Sequence, residues 1–433
     1  MNEVRSEHQL LSFSNGKVLA IGGWNGTSNS KTSELHDLTN AAWVASANEM
    51  NGAHSTGAAV VLGNGKGLII GGYTGSAQTA ECELYDTSTN TWSGAAPLNA
   101  ARSYHTATVL LSGKVLVTGG YNGTTNLNSC ELYDPATNVW TTIPTGLTTG
   151  RSYHTATLLA DGRVLLAGGF NPNAGYQLSS VEIYNPVTNS VSAAPAMSNS
   201  RAWHAASLLQ DGKVLVTGGE FFSGGTPFAY TGMTSCERFD PATNSWESMA
   251  SLPTGACYHH QFSVDGNRVV VMAGASNTNY SGAFTFSPGV SYVYDVQLNI
   301  WEANPMTFDG RVSFAAAQVG ANRIMVCGGI GQNEAEFFTA INGVSTKTIS
   351  KTGQIEAFPN PSLGVVFLQS TGQVNFSDFY VMDMMGKSHF VKAEQVSPTR
   401  LKLDFSGFVK GIYWVRVVRN GESELVKIAV TED

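Results

Sequence analysis

The sequence predicts an all-β protein, a seven-bladed β-propeller followed by a small C-terminal β-sandwich. Three observations predict it. Doubled glycines recur at Gly22-Gly23, Gly71-Gly72, Gly119-Gly120, Gly168-Gly169, Gly218-Gly219 and Gly328-Gly329, with a degenerate Ala273-Gly274 before the last pair, and so mark seven units. Each unit is about 50 residues long, the length a four-stranded blade needs. Helical periodicity is absent throughout, and beyond about Lys347 the repeat gives way to short strands of a different pattern.

Within a unit the strands follow in order. In the third, HTATVLL from His105 is a β run, Ser112-Gly113 a two-residue turn, and KVLVTGG a second run rich in Val and Leu. Asn15-Gly16, Asp161-Gly162, Asp211-Gly212 and Asp265-Gly266 hold the same turn in other units and supply the positive φ of a tight hairpin. After the glycines, a polar loop of variable length leads to a third strand, SCELYD, closed by Asp134-Pro135-Ala136-Thr137 as a type I turn. Asn138-Val139-Trp140 opens the fourth strand, and Trp43, Trp92, Trp140, Trp246 and Trp301 provide an apolar plug between adjacent sheets.

The pattern Arg-x-x-His, Gly-Gly, Tyr-Asp, Asn-x-Trp resembles the kelch repeat, and RSYH…DGRV…GG at Arg151 resembles the propeller of galactose-oxidase-like proteins. The resemblance covers about residues 5–348 and implies a kelch β-propeller domain at 1–348. Kelch propellers serve enzymes and binding proteins alike, so the repeat implies a fold and leaves the activity open.

Composition narrows the class. Charged residues are 13% of the 433, and Gly is enriched at 47, as short strands joined by tight turns require. A net charge of −8 with no basic stripe excludes a nucleic-acid partner. No apolar run is long enough for a transmembrane segment. Cys82, Cys130 and Cys236 fall at the start of the third strand in different blades, too far apart to pair, and Cys257 and Cys327 lack metal-ligand spacing.

The chain opens directly on the first unit, since Arg5 and His8 stand to Gly22-Gly23 as Arg102 and His105 do to Gly119-Gly120. No signal peptide precedes it, and an export signal is expected upstream. The second unit has His54 but no Arg, the fourth has Val191 for Trp, and the sixth has Ala256 for Arg. In the seventh, Phe314 takes the histidine's place, and EAEFFTAINGVS aligns with CELYDPATNVW if Phe337 replaces Tyr and Val344 replaces Trp. On that alignment the ring closes without borrowing a strand.

Residues 349–433 read as a small β-sandwich, with VVFLQS, FYVMDMMGKSHF, RLKLDFSG and a final hairpin turning at Asn420-Gly421. The ordered segments Phe358-Pro359-Asn360-Pro361, Val381-Met382-Asp383-x-x-Gly386-Lys387, Gly411-Ile412-Tyr413 and Val426-Lys427-Ile428-Ala429-Val430 resemble the C-terminal sorting domain of the type IX secretion system of Bacteroidota. That resemblance implies engagement of the type IX secretion machinery and release from, or attachment to, the outer cell surface.

Strand parity places a site. The Arg-x-x-His segments and the loops after Gly-Gly share one face, where length varies most, and variable loops on a rigid scaffold are where binding resides. Near the axis, Arg102, Arg151, Arg201, Arg311, Tyr104, Tyr153, Trp203 and Tyr258 are expected to ring the channel mouth, with Phe222, Tyr230 and Tyr280 from the longest loops above. Guanidinium groups beside aromatic faces suit sugars, carboxylates or acidic peptides. Glu220 stands where other units place an aromatic after the glycines and is the one carboxylate singled out. The repeated histidines and Glu34, Glu83, Glu131, Glu182 and Glu237 are read as structural, because they recur in most blades.

These residues suggest a secreted or surface-attached binding module for an extracellular glycan or protein. No residue is assigned to catalysis or to a metal, and no cofactor is expected. The alternatives are a copper oxidase resembling galactose oxidase, whose Tyr-His pair Tyr104-His105, Tyr153-His154 and Tyr258-His259 match in form, and a metal-independent sugar epimerase or lyase. The first lacks a C-terminal ligand histidine in a matching motif, His389 being the only one there, and the second needs a carboxylate and an arginine converging at the mouth.

Overall fold

The computed structural model describes residues 1–222, 229–264, 268–272, 274–279, 284–286, 291–304, 311–321, 323–341, 344–348, 355–358, 365–370, 379–383, 388–389, 391–397, 399–406, 408, 411–419 and 422–430. Two compact units divide the chain, Met1–Val344 and Ser345–Asp433, and the division falls at the start of the last propeller strand.

Seven four-stranded antiparallel sheets follow one another from Gln9 to Thr348, the strands lying in each sheet in chain order. The blades run from Gln9 to Ala45, Ala58 to Ala95, Thr106 to Thr142, Thr155 to Ala194, Ala205 to Met249, His260 to Asn304 and Ala315 to Thr348. From blade seven through blade one to blade six, first strands of neighbouring blades are side by side, so the first strand is innermost, and blade seven supplies its own four strands. In blade three, Val115 pairs with Val109 on one side and Tyr133 on the other, and Tyr133 pairs with Trp140.

Apolar residues from two successive sheets fill each gap. Between blades two and three, Val60, Leu68 and Ile70 meet Val115, Val117, Tyr133 and Trp140. The Trp140 ring lies 4.9 Å from Tyr133, and its indole N–H donates to the Ala96 carbonyl of the blade before at 2.9 Å. Blades six and seven are joined by Val264, Val270, Met272 and Phe314. All five cysteines are buried free thiols.

The repeat's charges are inside. Arg102 donates to the Gly119 carbonyl at 2.7 Å and to Glu131 at 2.5 Å, and the Glu131 carboxylate accepts the backbone N–H of Asn99 at 2.7 Å. Arg5–Glu34, Arg151–Glu182, Arg201–Glu237 and Arg311–Glu336 repeat this clamp, each arginine no more than 1% exposed. Blade two corrects the sequence alignment. His54 occupies the arginine's position and makes the arginine's contacts, to the Gly71 carbonyl at 2.6 Å and Glu83 at 3.2 Å. Blade six lacks both partners, with Ala256 for the arginine and Tyr292, whose hydroxyl bonds Thr254 at 2.9 Å, for the glutamate.

The doubled glycines fasten one blade to the next. Gly119 has φ 61°, and a Cβ there would collide with the Arg151 carbonyl and the His154 ring. Gly120 then donates its N–H to that same Arg151 carbonyl at 2.8 Å. Only glycine satisfies both the positive φ and the close approach.

Two strands in each of two loops assemble a further four-stranded sheet above blades five and six, in the order Glu220–Phe222, Ala229–Gly232, Ala275–Asn279, Phe284–Phe286. The sequence predicts expanded loops here, and the structure pairs them as strands. The second unit holds two four-stranded sheets around one core that includes Val366, Leu368, Leu403, Phe405, Val415 and Ile428. The Asn420-Gly421 and Asp265-Gly266 turns, and Pro359-Asn360-Pro361 and Gly386-Lys387 of the sorting segments, lie outside the described residues.

Removing one member of a buried charge pair strands the other, at a cost of about 3–5 kcal/mol, whereas replacing both can be neutral. Arg102→Ala is therefore expected to destabilise the chain strongly in denaturant unfolding. The double variant Arg102→Ala/Glu131→Tyr, copied from blade six, is expected to recover much of that loss, and a double variant no better than the single would refute the clamp as a unit.

Candidate functional site

Two residues beyond each arginine position the chain reaches the axis in the left-handed conformation. Glu7, Thr56, Tyr104, Tyr153, Trp203, Tyr258 and Ser313 have φ of 55°, 55°, 55°, 54°, 51°, 55° and 58°. A non-glycine residue in that region costs about 1–3 kcal/mol and persists only where its surroundings over-determine it. Here six of the seven backbone N–H groups donate to the carbonyl of the equivalent residue in the blade before, from Glu7 to Ser313, Thr56 to Glu7, Tyr104 to Thr56, Tyr153 to Tyr104, Trp203 to Tyr153 and Tyr258 to Trp203, at 2.8–3.2 Å. A necklace of peptides thus runs around the axis from Ser313 to Tyr258 and fixes one side chain per blade.

The necklace is polarised. On one half, ring centroids are 4.2 Å apart for Tyr104–Tyr153, 4.1 Å for Tyr153–Trp203 and 5.2 Å for Trp203–Tyr258, each pair tilted by 31–35°. These four half-buried rings form one aromatic crescent, backed by Phe170 at 5.6 Å from Trp203. The other half carries Ser313, Glu7 and Thr56. Burial pushes the Tyr104, Tyr153 and Tyr258 hydroxyls up, so all three stay protonated and able to donate. Glu7 is pushed up by burial and partly held down by the hydrogen bond its carboxylate accepts from Ser55 at 3.0 Å.

The crescent brings together Tyr104, Tyr153, Trp203 and Tyr258, as the sequence led one to expect. The arginines are a correction. Arg102, Arg151, Arg201 and Arg311 do not reach the mouth, because their donors are taken by glycine carbonyls and glutamates inside the blades. Glu220 is buried behind the crescent, its N–H on the Ala202 carbonyl, and its charge adds to burial in raising the Cys257 thiol and the Tyr258 hydroxyl. Phe222 and Tyr230 sit opposite one another in the extra sheet, and Tyr280 lies outside the described residues. Sequence reasoning missed Glu7, Thr56 and Ser313. Aligning the residue before each repeated histidine would have found Glu7, but Thr56 was hidden by the shifted alignment of His54.

The histidines lie between blades. His154 Nε2 is 2.8 Å from the Thr118 hydroxyl, His204 Nε2 2.9 Å from Thr155 and His259 Nε2 2.9 Å from Thr217, each on the preceding blade. Burial pulls His8, His105 and His259 down to about 3, and His154 and His204 well below the usual range, so all are neutral.

A closed ring of four-stranded sheets presenting a walled mouth on its loop face defines a β-propeller with a candidate binding site on its axis. The chain carries kelch repeats and ends in a secretion-system sorting domain. Residues 7–219 match the KLHDC2/KLHL20/DRC7 Kelch-repeats domain, 204–253 the Kelch motif, and 356–431 the secretion system C-terminal sorting domain. The type IX sorting domain marks the chain for export to the outer surface or beyond. No curated protein matches. Among solved structures, a fungal alcohol oxidase of the AA5 family, in complex with copper, is similar at 15% identity with a TM-score of 0.62, covering 99% of this chain and 98% of that one. YjhT is similar at 16% identity with a TM-score of 0.53, covering 70% of this chain and 97% of that one. At these identities the likeness is one of fold.

The neutral histidines give a pH prediction. An unfolded histidine titrates near 6.5 and His105 in the fold near 3, so below 6.5 the unfolded chain binds more protons. The stability that depends on neutral histidine is whole above pH 6.5 and is lost as pH falls toward 3. Blade seven carries Phe314 at this position, so His105→Phe is expected to fold and to flatten the fall of Tm between about pH 7 and about pH 4.5. An unchanged slope would show that His105 does not contribute.

Proposed function

We propose that this exported kelch propeller is a binding module whose axial aromatic crescent recognises an extracellular glycan or protein. The observation that carries the reading is the crescent itself, four aromatic rings held at the mouth by a strained and hydrogen-bonded backbone ring. Aromatic side chains offer large contact area at little entropic cost, and they dominate binding where they are locked in place. The hydroxyls of Tyr104, Tyr153 and Tyr258, with Thr56 and Ser313 opposite, add donors and acceptors suited to a polyhydroxylated or amide-rich ligand.

The enzyme readings find less support. Copper accompanies the fungal oxidase, but among the described residues here no group of three His, Cys, Asp or Glu could hold a metal ion. The Tyr-His pairs also divide their side chains, tyrosine to the axis and histidine to a threonine between blades. This donor set does not fit the metal. An epimerase or lyase needs an arginine at the mouth, and the repeated arginines are spent inside the blades.

A glycan array probed with the full chain, followed by calorimetry on any hit, tests the proposal. Truncating a central anchor costs about 2 kcal/mol or more, so Trp203→Ala is expected to weaken binding about 30-fold while leaving Tm nearly unchanged. Binding undiminished in Trp203→Ala and Tyr153→Ala would remove the crescent from the site.

A further inference from the structure

Beside the crescent, between the loops of blades one and two, is a second concavity of about 750 Å³. Trp24, Tyr73, Tyr104 and Glu7 line it together with hydroxyl and backbone groups of the two loops. Trp24 is 41% exposed, and each loop is braced at its base, Trp24 bridging Ser6 and Asn29 and Tyr73 bridging Ser55. The Tyr73 hydroxyl is fixed on the Gly75 carbonyl at 3.0 Å. Among the described residues none of these three rings stacks on another, and all three line the one space.

Charge gives that space a sign. Glu7 accepts one side-chain hydrogen bond, from Ser55, and no cation meets its carboxylate among the described residues. Between each second and third strand, and ahead of each first strand, the propeller's only basic residues are Lys31 and the five buried arginines. Lys31 is bonded to the Asn51 carbonyl at 2.8 Å. The same segments hold Glu3, Glu7, Glu49, Glu220, Asp309 and Glu334. A cation over an aromatic face is attracted by the ring quadrupole, most strongly for Trp, and a nearby desolvated carboxylate strengthens that attraction.

We infer that the pocket of Trp24, Tyr73, Tyr104 and Glu7 is a binding site for an alkylammonium group, quaternary or primary. It goes beyond the crescent reading and stands on its own residues, sharing only Tyr104. An anionic ligand group is disfavoured there, since nothing free in the pocket neutralises it.

The test titrates choline, ethanolamine and the uncharged choline isostere 3,3-dimethylbutan-1-ol into the full chain, followed by calorimetry and tryptophan fluorescence. Choline or ethanolamine is expected to bind about 10-fold or more tightly than the isostere, and their order reports whether the natural group is quaternary or primary. Glu7→Gln and Trp24→Ala, each checked for an unchanged Tm, are expected to weaken that binding about 10-fold, whereas Trp203→Ala leaves it intact. Equal binding of the isostere, no binding of either amine, or binding untouched by both pocket variants would overturn the inference. Loss of crescent binding in Trp203→Ala with amine binding intact separates failure of one site from failure of the other.

Discussion

The propeller depends on a charge pair kept out of water. In five blades an arginine enters the sheet and is held by a glycine carbonyl and a glutamate, and the glutamate in turn fixes the strand that carries the arginine in. Desolvating both ions is expensive, and their attraction, with the hydrogen bonds of the guanidinium to glycine carbonyls, offsets it. The two exceptions obey the same physics. Blade two replaces the cation by His54 and keeps the glutamate, while blade six discards both members at once. An unpaired Glu or Arg is found in neither.

That pair sets everything nearer the axis. The arginine carbonyl receives the second glycine's N–H from the preceding blade, and the histidine three residues on packs over the first glycine. Between these anchors lies one residue whose side chain points to the axis, where it meets only its counterparts in neighbouring blades and the loops around them. Its backbone is forced into the left-handed region and chained to its neighbours, so its direction is fixed while its identity is not. The scaffold spends its invariance on the flanking residues and leaves this position open to specialise. Tyr, Trp, Glu, Thr and Ser all occur there.

This division explains what was legible in the sequence. Repeat period, hairpin turns, the tryptophan plugs and the sorting tail are local patterns, and each is visible in the structure or in the family matches. The aromatic crescent was legible because Tyr104, Tyr153, Trp203 and Tyr258 stand next to an obvious histidine. The arginines were misplaced because a charged residue near a channel reads as a ligand group, and burial becomes visible only when its glutamate, some 30 residues away, is seen to face it. Thr56 was hidden because His54 imitates one landmark of the repeat while performing the work of another. The extra sheet above blades five and six joins segments with no mutual sequence signal, as pairing between separate loops always does.

The mouth therefore has two halves made by one constraint. Where the open position is aromatic in four successive blades, the rings touch and build a continuous surface. Where it becomes Ser313, Glu7 and Thr56, the rings of the necklace stop, and Trp24 and Tyr73 from the loops outside it line the space beside Glu7. With the arginines withdrawn into the blades and Lys31 held on the Asn51 carbonyl, the carboxylate of Glu7 lines this gap with no counter-ion among the described residues. A ligand spanning the mouth would meet stacking surface on one side and negative potential on the other. Such a surface orients what it binds as well as holding it, because a molecule with one cationic end fits it in one direction only.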